Sequence, residues 1–351
     1  MRTRKTLGAT FVVAVQFAAQ SAAMPEASEN APPSLLRRVL PLLVTVMIFA
    51  WIFQRVPFAR FWVALAGADH ARFLAMMLPN GLLYFAWDTL LLTLVMRWFH
   101  GPIGYRELLP VRAVTYVVSF LNTNLARAAT AYYLTRKLGT PFFPIAGTVL
   151  FLTLLDLTHL TLWAAVAMTL APERVPAVVA VVAAGVLLFW LVTIPYARGA
   201  DGSGRGRWWS PRDWSLFATF ARAPLKRYGQ VILLRAPLFA ASLLFHYYAV
   251  QSFGMHIPFG RLAACLPVIF MLAALPVTVA HLGTTQAAWI FFFRDVAPPE
   301  ALLAYSLASH LAFMLARASV GLVFLPTAHK ELFGPIKLGE FFTAREPRAA
   351  R

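Results

Sequence analysis

Residues 262–293 contain no Asp, Glu, Lys or Arg. As one helix the stretch would run about 48 Å at 1.5 Å per residue, against a hydrocarbon core of about 30 Å. Pro267, Pro276 and Gly283 interrupt it, and these residues break helices by removing a donor or adding backbone freedom. The stretch is therefore expected to be a bent or re-entrant pair. Broken backbone at membrane depth is tolerated only where protein or a cavity covers it.

The rest of the chain is membrane-like as well. Of its 351 residues, 60% are hydrophobic and only 13% charged, about half the charged share of a soluble domain. Apolar runs of spanning length or near it occupy 39–53, 73–96, 142–170, 175–195, 229–253 and 301–326. The expected fold is all-α, a polytopic transmembrane helix bundle with a re-entrant or broken-helix segment in each half. Residues 1–34 read as a signal-like or mis-started segment plus a polar linker. The chain begins at Met1 with an uncleaved weak signal, or at Met24. Residues 35–328 form the membrane domain and 329–351 a cytoplasmic tail.

Loop charge sets the expected topology. The net charge is +17, and basic residues collect in cytoplasmic loops. Between Tyr196 and Tyr228 lie Arg198, Arg205, Arg207, Arg212, Arg222, Lys226 and Arg227, opposed by Asp201 and Asp213. That loop is placed inside, the short neutral turn at Pro172 outside, and the C-terminal tail inside. The loop around 97–112 also falls inside, so 113–135 makes no net crossing. Equivalent counting gives 262–293 no net crossing. The loop after Phe53 carries Arg55, Arg60 and Arg72 on the external side. It fits an interfacial helix with Phe58, Phe61, Trp62 and Leu65 facing lipid. The protein is placed in the cell membrane, the inner membrane for a Gram-negative source.

Ionisable residues in apolar segments are costly and mark function. They are Asp88, Arg127, Asp156, His159, Arg235, His246, His281, His310 and Arg317. Asp88 and Asp156 are expected to pair with Arg127 and Arg317, as a structural ion pair or a headgroup site. Arg235 reads as a snorkelling residue near a boundary. Asp156 and His159 share a helix face at i, i+3, which suits a proton relay or one local hydrogen bond. Asn122 and Asn124 supply polar groups where 113–135 must bend. Thr278, His281, Thr284, Thr285 and Gln286 do so in the other broken segment. Trp208, Trp209 and Trp214 interleave with Arg205, Arg207 and Arg212, a pattern suited to an anionic membrane surface.

The single cysteine, Cys265, excludes internal disulfides and thiolate clusters. No phosphate loop, serine elbow or zinc motif is present, so neither catalysis nor a cofactor or metal is expected. No basic module of a nucleic-acid binder accompanies the charge.

Three stretches carry a family resemblance. In 119–134, Asn122 and Arg127 fit an Asn-rich approach followed by Pro-Gly-x-x-Gly-Glu and an Arg. Leu125 stands for the proline, Ala126 and Ala129 for the glycines, Thr130 for the glutamate and Tyr132 for the later arginine. In 275–288, Pro276 and Gly283 fit Pro-x-x-x-Gly-Gly-x-Gly-x-Arg-Glu. Ala280 and His281 replace glycines there, Thr285 the arginine and Gln286 the glutamate. Leu154, Leu155 and Asp156 are similar to Glu-Arg-Leu-Leu-Asp, with Leu152 and Thr153 in place of the charged pair. Over 35–326 the chain resembles the flippase-like membrane region of lysylphosphatidylglycerol synthases and their stand-alone relatives. The resemblance implies a non-enzymatic translocator or binder of a lipid or lipid-linked molecule. A membrane subunit for a lipid- or glycan-modifying enzyme is the alternative. The expected partners are anionic membrane lipids and, under the alternative, such an enzyme. Asp88, Asn122, Asn124, Arg127, Asp156, His281, Gln286 and Arg317 would line the substrate cavity.

Overall fold

The computed structural model describes residues 35–121, 123–170, 177–198, 215–274 and 282–332. Within them the chain forms twelve α-helices and one 3-10 turn. These are α1 (Leu35–Phe53), α2 (Phe58–Ala66), α3 (His70–Phe99), α4 (Tyr105–Leu121), α5 (Thr123–Leu138) and α6 (Phe142–Leu170). Next come α7 (Ala177–Arg198), the turn Ser215–Phe217, α8 (Ala218–Arg222), α9 (Leu225–Gln251), α10 (Phe259–Ala274), α11 (Thr284–Phe293) and α12 (Pro299–Leu332).

Among the described residues, four helices are long and apolar enough to cross a bilayer: α3, α6, α9 and α12. Local chemistry sets their starts. The Asp69 side chain accepts the Arg72 N–H at 2.9 Å and caps α3. Pro224 and Pro298 precede α9 and α12, where no intrahelical N–H is required.

One helix pair that qualifies jointly as a span is sharply bent, and it is α1–α2, with an angle of 88°. The bend lies in neither of the two segments expected to be broken. Pro57 stands at the break and fixes the start of α2. In α2, Phe58 and Trp62 are exposed, but Phe61 is buried and Leu65 packs on the core. The expectation that all four face lipid is thus half right. At helical spacing 58 and 62 share one face, and 61 and 65 the face turned toward α12.

The sequence leads one to expect two broken spans, at 113–135 and 262–293, but among the described residues the one bent span is α1–α2. The two segments fall in the helix pairs α4–α5 and α10–α11, whose outer ends meet. Residues 113–121 belong to α4 and 123–135 to α5. Lys137, at the end of α5, lies 3.4 Å from Glu107 at the start of α4. The helices α10 and α11 also pack together. Arg261, at the start of α10, donates to the Phe292 carbonyl at 2.5 Å and pairs with Asp295 just past α11. That pairing holds the Asp295 carboxyl below its usual range.

Among the described residues, two large apolar clusters, with two smaller ones around Phe85 and Phe239, fill the bundle. One packs Phe73, Phe253, Trp289 and Tyr305 at the end where the Asp69 N–H meets the Ser252 carbonyl at 2.8 Å. The other packs Phe151, Trp190, Phe220 and Tyr228. At that second end His100 hydrogen-bonds Thr148 at 2.6 Å, and Thr148 bonds Thr219 at 2.6 Å. This chain ties α3, α6 and α8 together. Gly147 permits it, because a Cβ there would lie 1.9 Å from the Leu216 carbonyl oxygen.

Candidate functional site

Between the two large apolar clusters, six helices bring charged side chains together. Asp88 of α3 is the centre. Arg112 of α4 pairs with one carboxylate oxygen, and the Tyr116 hydroxyl donates to the same oxygen at 2.8 Å. Arg235 of α9 lies 3.0 Å from the other oxygen. The Nε of Arg235 lies 3.5 Å from Asp156 of α6. Arg317 of α12 stacks over the rings of Tyr116 and Phe313, at 4.4 and 4.3 Å. Arg127 of α5 is half-buried and within electrostatic reach of Asp156, Arg112 and Asp88.

Pairing explains why such a cluster survives in apolar surroundings, where an isolated charge would be very costly. The pairing is incomplete, however. Three arginines, Arg112, Arg235 and Arg127, act on two aspartates, and a fourth, Arg317, stacks on the Tyr116 ring beside them. Among the described residues, neither Arg127 nor Arg317 has a carboxylate within ion-pair distance. Buried nitrogens of Arg112, Arg235 and Arg317 lack an aligned hydrogen-bond acceptor. The cluster is also not sealed, since the Asp156 side chain is 34% exposed. Chemically this is a site with surplus positive charge and spare N–H donors, suited to phosphate or carboxylate.

The pairing differs from the sequence expectation. Asp88 takes Arg112 and Arg235, not Arg127 or Arg317. Arg112 read as the edge of a loop, and Arg235 as a snorkelling boundary residue. Arg235 is instead 6% exposed, because carboxylates on α3 and α6 meet it inside the bundle. The signal available for Arg235 was its place ten residues into α9, too deep for a boundary. Tyr116 carried no such signal.

The remaining candidates divide. Asp156 and His159 share a face but take different partners. His159 accepts the Trp163 indole N–H at 2.8 Å, while Asp156 faces Arg235. Gln286 is fully buried at the start of α11. Its Oε1 accepts the Gly283 N–H at 2.6 Å, which caps the helix, and its Nε2 has no partner. Gly283 holds φ +93°, with Ile48 of α1 against the space a Cβ would take. His246 bonds the Tyr305 hydroxyl at 2.6 Å within the apolar cluster, away from the charges. Asn124 lies in α5. Asn122, His281, Arg205, Arg207, Trp208, Trp209, Arg212, Trp214 and the turn at Pro172 lie outside the described residues.

A groove of about 590 Å³ runs between α6 and α9, lined by His159, Trp163, Val166, Gly229, Ile232 and Ala236. It is almost wholly apolar. Rings at Phe151–Tyr228 and Trp163–Phe239, 4.9 Å apart in both cases, set α6 and α9 parallel beside it. Among the described residues no group of three or more His, Cys, Asp or Glu could hold a metal ion.

Fold and site together define a polytopic helical membrane protein built around a buried ionic centre. The chain matches the family described as Lysylphosphatidylglycerol synthase TM region over residues 38–321, and it belongs to that family. No curated protein matches it.

Proposed function

We propose that the protein binds and translocates a lipid with an anionic headgroup, without chemical modification of it. The observation that carries this reading is the surplus of arginine over aspartate in the bundle, with buried guanidinium nitrogens that make no aligned hydrogen bond. An anion supplies both the missing charge and aligned acceptors. Arg127 is the first contact, being half-buried and without a carboxylate partner. Arg235 and Arg317 complete the site. The apolar groove beside Arg235 accommodates an acyl chain, so the headgroup enters sideways between α6 and α9.

The pairs α4–α5 and α10–α11 are the two re-entrant segments of this reading. The contacts Lys137–Glu107 and Arg261–Asp295 support it, because each returns the chain to the end where it entered. Broken segments in both halves are the sequence pointer to a transport site. The alternative, a membrane subunit for a lipid-modifying enzyme, predicts stable co-purification with that enzyme.

Mass spectrometry of lipids retained by the purified protein tests the proposal. Enrichment of anionic phospholipid over phosphatidylcholine is expected. Retention in proportion to the surrounding membrane would contradict it.

A further inference from the structure

Asn80 is 1% exposed, and neither its Oδ1 nor its Nδ2 has a hydrogen-bond partner. It lies inside α3 between Pro79 and Gly81. Pro79 frees the carbonyl of Ala75, and a neighbouring amide often serves such a carbonyl. The Asn80 amide does not do so. Nor do the serines of α12 serve Asn80. Ser306 donates to the Leu303 carbonyl and Ser309 to the Ser306 carbonyl, both at 3.1 Å. For stability alone, a leucine of similar size would be the better residue at this position.

Asn80 also has a place relative to the ionic centre. Asn80, Tyr84 and Asp88 are spaced i, i+4, i+8 along α3. Asn80 is thus displaced from Asp88 by about 12 Å along the helix axis, toward the Asp69–Ser252 end. Tyr84 stands between them, half-buried, its ring edge-on to Phe313 at 5.2 Å. On Gly81 a Cβ would come within 2.7 Å of the Ala316 Cβ, so α3 and α12 pack closely beside the amide.

We infer that Asn80 is a second station for the polar headgroup of a phosphate-bearing lipid, occupied when the headgroup has left the arginines. The inference rests on the translocation reading above. The amide has the right chemistry. Nδ2 donates to a phosphate or ester oxygen, and Oδ1 accepts from a headgroup hydroxyl or ammonium. It carries no charge, so it holds the headgroup less firmly than the arginines do. Passage needs sites that bind well enough to enter and weakly enough to leave. Tyr84 bridges the interval between the stations.

The test uses the full chain in phosphatidylcholine vesicles with a trace of acyl-labelled fluorescent phosphatidylglycerol, whose flux is read by dithionite bleaching. Asn80→Leu is compared with Asn80→Ser and the parent. The Leu variant is expected to melt at or above the parent temperature, to retain phosphatidylglycerol, and to lose flux. The Ser variant is expected to keep part of the flux. Parent-like flux in Asn80→Leu would overturn the station. So would a lower melting temperature in that variant, which would make the amide a structural residue. A parent that binds phosphatidylglycerol but shows no flux removes the station and leaves the headgroup site standing. A parent that does neither removes both.

Discussion

Arg235 faces Asp88 at 3.0 Å and at the same time reaches Asp156 at 3.5 Å, so one guanidinium links carboxylates from two helices. Neither its Nε nor its Nη1 makes an aligned hydrogen bond in doing so. The arginine is held by charge, with donor capacity to spare.

Removing the central carboxylate should therefore be severe. Asp88→Ala leaves Arg112 without a carboxylate and Arg235 with Asp156 alone, and breaking a buried pair in this way costs about 3–5 kcal/mol. Thermal unfolding in detergent is expected to show a large drop. A double change, Asp88→Leu with Arg235→Met, should recover part of it. Unfolding of Asp88→Ala at the parent temperature would show that the pair contributes nothing to the fold.

How much of this centre was legible before the structure? Asp88, Asp156, Arg127 and Arg317 stood out, because a charge in an apolar run has few innocent explanations. Their partners did not. Arg112 sits seven residues into a helix that opens with Arg106 and Glu107, so it read as loop. Arg235 follows the basic loop closely enough to read as a boundary residue. Pair identity is set by which helices touch, and α3 with α9 and α4 with α12 are contacts between segments far apart in sequence. The long apolar runs were legible as helices because length and composition decide them. The 88° elbow at Pro57 was signalled only as a charged loop followed by an amphipathic stretch.

Acid should loosen the end of the bundle at His100. Burial and the neighbouring Arg222 pull this imidazole down to about 4, from an ordinary value of 6.5. The unfolded chain therefore binds a proton between pH 6.5 and about 4 that the folded chain does not. This contribution is intact above pH 6.5 and is lost progressively as pH falls to about 4. His100→Gln should flatten the corresponding slope of melting temperature against pH. A slope equal to the parent's would clear His100 of the effect.

The basic, tryptophan-bearing loop should engage anionic membrane surface. Replacing Arg205, Arg207 and Arg212 with Gln removes three positive charges, each worth about 1 kcal/mol near such a surface. Binding to anionic liposomes should weaken, most clearly at low salt, because these interactions are screened. Binding that is unchanged at every ionic strength would leave the loop a topological role only.

The most direct measurement compares phosphatidylglycerol retention by the parent and by Arg127→Gln, using native mass spectrometry of both proteins in one lipid mixture. Arg127 has no carboxylate partner among the described residues, so its loss should shift stability by no more than about 1 kcal/mol, as for a substitution that breaks no buried pair. The account predicts that Arg127→Gln folds, melts close to the parent, and loses its preference for phosphatidylglycerol over phosphatidylcholine. An Arg127→Gln protein that keeps the parent's preference, or one that fails to fold, would contradict the assignment of this arginine to a headgroup site.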